Sequence, residues 1–387
     1  MRCRPRLIPR TRLLAAALLL TALPACRSRE TARNSAKNAP SAAPRAVLAP
    51  ASARPSTTGA RVTAPPRKVE HTERAMGTLL LFVAYTSATH DEAALRAAFA
   101  ASVAEVARLE SLLSEWRSDS EVGRVNQNSG QWVRVGPELL TVLDRSLWAG
   151  RISEGTFDVT FQVLSDIWKF GTAQEPNPRV PSREEIEARR ARVDYRRIEL
   201  DRAGSRVRIP SGFRLGLGGI AKGYIVDAAA RVLRRHGLTA FLVQAGGDLY
   251  GAGRKPDGSP WVSGIQDPRG KPGSFFATIE LEDRAFSTAG DYARAFHVNG
   301  KRYHHIIDPR TGYPATASRS VTVWAPDALT ADAIDDAVFI LGPEKGLALA
   351  ESLDGVGVVI VDAENRVHVS PRLRDKLEIS RSPTDAL

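Results

Sequence analysis

Apolar residues recur every three or four positions between Asp91 and Trp116, at Leu95, Phe99, Val103, Val106, Leu109 and Leu113, which predicts a long amphipathic helix. The same spacing at Leu139, Leu140, Leu143 and Leu147 predicts a second helix over Pro137 to Gly150. A third is expected from Ile220 to Arg235, opened by glycines and closed at His236-Gly237, and a fourth from Ala331 to Leu341. Leu79 to Tyr85 and Phe241 to Gln244 are short apolar runs of strand type. Trp261 to Gln266, Phe275 to Leu281, His304 to Ile307 and Ser320 to Trp324 alternate between Gly/Pro turns and are expected strands, followed by a late one over Gly355 to Val361. The elements mix without a regular βαβ alternation. The expected fold class is therefore α+β, with mixed, largely antiparallel sheets flanked by helices in a single large body.

The N-terminal end follows different rules. Arg2, Arg4, Arg6, Arg10 and Arg12 precede the apolar run 13–20, which is too short to span a bilayer and reads as a signal peptide over residues 1–25. Leu23-Pro24-Ala25-Cys26 resembles the lipobox of bacterial lipoproteins, in which the cysteine receives a lipid. Cys3, the other cysteine, lies in the leader, so a chain starting at Cys26 has one thiol and no internal disulfide. Residues 27–70 contain no aromatic residue and are rich in Ala, Pro, Ser, Thr and Arg, so 26–70 is expected to be a disordered, lipid-anchored tether and 71–387 the folded body. The expected location is the cell envelope, on the periplasmic side, with the lipid in the membrane.

Charge divides the chain at the same place. The leader carries five arginines and no acid, and residues 27–70 carry nine basic and two acidic residues. Of the formal +11, about −1 is left for the body. The basic character belongs to leader and tether, and no nucleic-acid partner is expected.

Three stretches carry candidate chemistry. Gly216-Leu217-Gly218-Gly219-Ile220-Ala221-Lys222-Gly223 is expected to follow a strand and open a helix, where glycines allow close backbone approach and free N–H groups face an anion. It fits a loose G-x-G-x-x-(G/A), but the surrounding βαβ unit of a Rossmann site is missing, and Gly223 after Lys222 breaks the Walker pattern. His304-His305-Ile306-Ile307-Asp308-Pro309-Arg310-Thr311-Gly312 joins two adjacent histidines to a turn that Asp308 closes. Neighbours on a strand point to opposite faces, so only one of the pair is expected to face a site. Asp332, Asp335 and Asp336 stand at i, i+3 and i+4 of the fourth helix. Such carboxylates either complement the helix dipole or share a hard cation such as Mg²⁺.

In this order the motifs resemble the FAD:protein FMN transferase (ApbE) family, from Met76 to about Ser370. The matching segments are Met76-Gly77-Thr78, Ser114-Glu115-Trp116 with Ser120-Glu121 and Asn126, and Gly155-Thr156-Phe157-Asp158-Val159-Thr160 with Trp168 to Gly171. Gly218 to Asp227, Gly246-Gly247-Asp248, Thr288 to Tyr292 and His305 to Gly312 complete the series. The resemblance implies an FAD cleft formed by Met76, Trp116, Thr156, Phe157, Asp158, Gly216, Lys222 and Ile306. It also implies a Mg²⁺ site at the Gly219 carbonyl, Asp332, Asp335 and Asp336. The chain departs from the family pattern at Gly216, where Asp is usual, at Asp336, where Thr is usual, and at Ala289, where Ser or Thr is usual.

The implied reaction is attack by a threonine hydroxyl of another protein on the FMN-side phosphorus of FAD, with AMP leaving and Mg²⁺ neutralising charge. Lys222 would stabilise the same charge, Asp332 would serve with the metal, and His305 would accept the threonine proton. The implied acceptor is an exported electron-transfer flavoprotein subunit with a Ser/Thr-x-Ala-Thr motif. Two other readings keep the site: an FAD pyrophosphatase giving FMN and AMP, and a non-catalytic FAD-binding lipoprotein.

Overall fold

The computed structural model describes residues 65–170 and 177–385; the leader, most of the expected tether and Cys26 lie outside the described residues. The body begins with β1 (Lys68–Ala75) and β2 (Thr78–Tyr85). The sheet thus starts three residues before the expected boundary, because Val69 already buries its side chain in the core. Then follow α1 (Glu92–Leu113), α2 (Glu121–Gln127), β3 (Val133–Arg134), α3 (Pro137–Ile152), α4 (Gln162–Ser165) and α5 (Arg183–Arg190). Next come β4 (Glu199–Asp201), β5 (Arg206–Arg208), α6 (Ala221–Arg235), β6 (Phe241–Ala245), β7 (Asp248–Ala252), β8 (Trp261–Gln266) and β9 (Phe275–Leu281). The chain continues through β10 (Arg284–Gly290), β11 (Ala295–Val298), β12 (Lys301–His304), β13 (Ser318–Ala325) and α7 (Ala328–Ser352). It ends with β14 (Gly357–Asp362), β15 (Val367–Val369) and β16 (Leu377–Ile379).

The main sheet has eight strands in the order β1-β2-β6-β7-β10-β13-β14-β15. Every strand pairing among the described residues is antiparallel. Alternation along each strand feeds two cores. Leu80, Phe82, Ala84, Val321, Val323, Val358 and Ile360 pack under the helices. Val83, Trp324, Val359 and Val361 face the opposite way and meet Trp261, Ile265, Phe276 and Ile279 of the smaller sheet β16-β9-β8. Strand β14 is consequently buried along its whole length.

Helices α1, α6 and α7 cover the first face. Asp91 caps α1 by accepting from the Ala94 amide at 2.8 Å, and Leu95, Phe99, Val106, Leu109 and Leu113 are its buried stripe. Helix α7 starts three residues earlier than expected, because the Asp327 side chain accepts from the Thr330 amide. It breaks at Gly342, whose φ of 77° is left-handed, and Pro343 begins the second leg. Helices α6 and α7 cross at Gly223, where an added Cβ would run into the Ala328 carbonyl and the Asp332 Cβ.

Two expected strands are corrected. β12 ends at His304 and the chain bends at His305, leaving Ile307 as an isolated bridge to Pro314. The Ile-Ile pair is apolar because it is buried, not because it is paired in a ladder. The glycine-rich turn is not preceded directly by a strand either: β5 ends at Arg208 and residues 209–217 form loop.

Candidate active site

Lys222 enters at the start of α6 and reaches across to two acids. Its Nζ is 2.8 Å from Asp248 Oδ2 on β7 and 3.1 Å from Asp332 Oδ1 on α7. The second Asp332 oxygen accepts the Gly223 amide at 2.8 Å. Burial opposes the Lys222 charge, but Asp248, Asp332 and Asp335 together outweigh it and hold the ammonium well above its ordinary range.

Three carboxylates, Asp248, Asp332 and Asp335, offer oxygens that all lie within 4.8 Å of one another, and all three residues are buried. Ser287 Oγ on β10 sits between two of them, 2.5 Å from Asp248 Oδ1 and 2.6 Å from Asp335 Oδ2. A hydroxyl has one proton to donate, so Ser287 can satisfy only one of the two carboxylates at a time. Burial, then Asp336, Asp332 and Asp248, push the Asp335 carboxyl far up. Burial and Asp248 likewise raise Asp332 to about 7 against the pull of Lys222. An all-oxygen donor set with more negative charge than Lys222 can balance suits a hard divalent cation.

The acids of α7 divide between two places. Asp332 and Asp335 join Asp248, whereas Asp336 turns to the glycine-rich turn, with its Oδ2 2.9 Å from where a Cβ on Gly219 would lie. Phe157 Cε2 is 3.4 Å from the same point. Burial raises Asp336 to about 6. Asp248 and Ser287 are the members that sequence patterning missed. Asp248 stood in a Gly-Gly-Asp motif, but nothing local tied it to α7.

The turn itself differs from an amide cradle open to an anion. Leu217 N donates to Glu115 Oε2 at 2.6 Å, and Glu115 is held above the ordinary carboxylate range by burial, against the pull of the Leu217 and Gly218 amides. Gly216 N donates to Val159 O at 2.8 Å and Gly223 N to Asp332. Asn126 brackets Leu215, its Oδ1 accepting the Leu215 amide and its Nδ2 donating to the Leu215 carbonyl. Protein carboxylates and carbonyls have taken these donors, so the site's local character is acidic.

The remaining expected residues surround this centre. Thr156 and Phe157 are buried; Thr156 Oγ1 donates to Ser153 O at 3.0 Å, and Phe157 N donates to Ser153 Oγ at 3.1 Å. Asp158 organises its loop, its Oδ1 accepting Thr160 N and Oγ1 and its Oδ2 accepting Tyr195 N. Met76 and Gly77 form the β1–β2 turn with φ of 52° and 69°, the left-handed pair that a two-residue hairpin requires. Met76 N donates to Glu110 Oε1 at 2.9 Å. Trp116, 78% exposed, follows α1. Among the described residues neither Met76 nor Trp116 hydrogen-bonds to the carboxylate cluster.

The two adjacent histidines have different surroundings, the strand ending between them. His304 is buried edge-on against Phe339 and its Nε2 pairs with the Ala315 carbonyl at 2.7 Å. His305 has a buried Nδ1 without a partner among the described residues. Burial, then Arg294 and His304, push its imidazole down to about 3, with a smaller contribution in the same direction from Lys222. Ile306 is buried in the helix-side core and its carbonyl accepts the Ala315 amide.

A sheet covered by helices, with a buried oxygen cluster beside a glycine-rich turn, has counterparts among known proteins. The ApbE family model matches residues 76–360, and the chain belongs to that family. The FAD:protein FMN transferase of Treponema pallidum is 32% identical over 332 residues, covering 81% of this chain and 90% of the relative. That of Vibrio cholerae is 36% identical over 242 residues, covering 62% and 72%. In three dimensions the chain is similar to the ApbE protein of Thermotoga maritima, with a TM-score of 0.72 and 33% identity over 79% of this chain and 97% of that one. It is also similar to the flavinyl transferase ApbE of Pseudomonas stutzeri in its apo form, with a TM-score of 0.71 and 32% identity over 80% and 97%.

Proposed function

We propose that the protein transfers FMN from FAD to a threonine of an acceptor protein. The observation that carries this reading is the convergence of Lys222, Asp248, Asp332, Asp335 and Ser287 in a chain of the ApbE family. The threonine oxygen forms a bond to the FMN-side phosphorus, the bridging P–O bond breaks, and AMP leaves with the bridging oxygen. His305, neutral because burial pushes its imidazole down to about 3, is the residue proposed to take the threonine proton, a role that needs the negative charge of the bound diphosphate to raise it towards neutrality. Lys222 supplies positive charge at the diphosphate. Mg²⁺ held by Asp332 and Asp335, with Asp248, Asp336 and the Gly219 carbonyl close by, would neutralise the charge on the same diphosphate.

The purified body, FAD, Mg²⁺ and an acceptor carrying a Ser/Thr-x-Ala-Thr segment test this directly. Flavin fluorescence on the acceptor band after denaturing electrophoresis is the expected result. Free FMN and AMP without a labelled acceptor would make the protein an FAD pyrophosphatase, and intact FAD would make it a binder. Cys26 is the lipid-bearing residue in the same reading, holding the enzyme at the periplasmic side of a membrane where exported flavoprotein acceptors are reached.

A further inference from the structure

We propose that Gln162 is a specificity-determining contact for bound FAD, its carboxamide oxygen accepting a hydrogen bond from an N–H or O–H of the dinucleotide at the place where Gly216 has no side chain. The proposal rests on the flavin reading above and adds to it a residue outside the implied FAD cleft.

Gln162 opens α4 and is almost fully buried, at 3% exposure. Its two amide atoms have opposite fates. Nε2 donates to Asp166 Oδ1 at 3.2 Å, and Asp166 is held in turn by Arg214 Nη1 at 2.7 Å from Oδ2. That chain fixes which way the amide points, since a reversed carboxamide would set its oxygen against the Asp166 carboxylate. Oε1 is then left buried with no hydrogen-bond donor among the described residues. Burying an acceptor unpaired costs stability, so the atom calls for a donor that the protein itself does not supply.

The position of Oε1 ties it to the glycine-rich turn. It lies 2.5 Å from where a Cβ on Gly216 would stand, with Gln162 Cβ and Cδ at 3.1 and 3.3 Å from the same point. The Gln162 carboxamide therefore occupies the volume that a side chain at 216 would need. A glycine Cα–H offers it only a weak contact. Gly216 belongs to the turn that leads through Gly219 to Lys222, where the diphosphate is bound in the reading above. The neighbouring turn groups are committed elsewhere: Leu217 N to Glu115, Gly216 N to Val159, and both sides of Leu215 to Asn126. Gln162 Oε1 is an uncommitted acceptor at the Gly216 end of that turn, as the Asp336 carboxylate is at the Gly219 end. Both halves of FAD carry suitable donors, the adenine amine and ribose hydroxyls on one side and the flavin imide and ribityl hydroxyls on the other.

Isothermal titration of the full body with FAD, AMP and FMN, each with Mg²⁺, tests the assignment. Gln162→Ala is expected to weaken FAD binding about 5- to 20-fold, the loss of one hydrogen bond to a buried group. The same factor should appear with AMP if the donor is on the adenosine half and with FMN if it is on the flavin half. Gly216→Ala, which displaces the carboxamide without removing it, is expected to give a loss of similar size. Adding Gly216→Asp to Gln162→Ala is expected to recover affinity, because the vacated volume then admits a side chain carrying its own acceptor. Either single variant, folded by thermal melt yet binding FAD with the wild-type Kd, would overturn the role of Gln162. A wild-type chain that binds no FAD would instead overturn the flavin reading itself.

Discussion

Lys222 Nζ lies 2.8 Å from Asp248 Oδ2, so an ammonium from the start of α6 is bound to an acid on a central strand, β7, that is separated from the candidate metal helix α7 by six further strands. The same Nζ reaches Asp332. It is the charge that keeps the two buried carboxylates together without a metal.

Lys222→Met is therefore expected to lower the melting temperature in chelator. Removing one partner of a fully buried pair typically costs about 3–5 kcal/mol; with 34% of the Lys222 side chain exposed, solvent screening reduces this to about 1–3 kcal/mol. Added Mg²⁺ should then raise the variant's melting temperature more than the wild type's. Equal shifts would show that lysine and metal do not answer the same carboxylates.

Asp335→Asn is expected to act with opposite signs in two assays. Ligand-free protein should melt at the same temperature or higher, because burial and the neighbouring carboxylates already oppose ionisation of Asp335, and a neutral amide escapes that penalty. The Mg²⁺-induced rise in melting temperature should disappear, since amide oxygens are poorer ligands for that ion. An acid that merely complements the dipole of α7 would give a lower melting temperature and an unchanged response to Mg²⁺.

His305→Asn isolates a pH effect. Folding depresses the imidazole from 6.5 to about 3, so between those values the unfolded chain binds a proton that the folded chain refuses. Stability from this residue is complete above pH 6.5 and is lost as pH falls towards about 3, with a slope of up to about 1.4 kcal/mol per pH unit. Denaturant unfolding at several pH values should show a wild-type-minus-variant difference with this sign. The variant should also bind FAD yet transfer FMN poorly; undiminished transfer would remove His305 from the proton path.

Gly223→Ala should fail structurally. The new Cβ meets backbone at Ala328 and the root of Asp332, neither of which can swing aside. Separating α6 from α7 costs about 1–3 kcal/mol and breaks the Gly223–Asp332 hydrogen bond. A variant with unchanged melting temperature and Mg²⁺ response would mean that the crossing is looser than its geometry.

Cys26→Ala is expected to shift the protein from the membrane to the soluble fraction with its transfer activity intact. Deletion of residues 27–64 should leave the melting temperature in place, whereas extending the deletion through 70 removes part of β1 and should lower it. Membrane retention of the cysteine variant would dismiss the lipid.

Much of the architecture was legible because it is local. The stripe Leu95 to Leu113 and the strands Trp261–Gln266 and Phe275–Leu281 carry their periodicity in consecutive residues, and the structure has them with nearly the expected ends. Strands β7 and β10 were not read, since Asp248-Leu-Tyr-Gly-Ala and Arg284-Ala-Phe-Ser-Thr-Ala-Gly mix small and polar residues whose burial comes from both neighbouring strands. The acids of α7 announced themselves by helical spacing. Their partners Asp248 and Ser287, the Glu115 carboxylate on the turn, and the unpaired Gln162 oxygen are products of tertiary approach, which no window of sequence displays.

The cluster of Lys222, Asp248, Ser287 and Asp332 draws on two helices and two strands made at different times. A nascent chain has no such pocket until the last of these segments has emerged and docked, so the carboxylates come together only when folding is done. If the cluster holds a divalent cation, the compartment where docking finishes would decide which one, and loading with metal would report a completed fold.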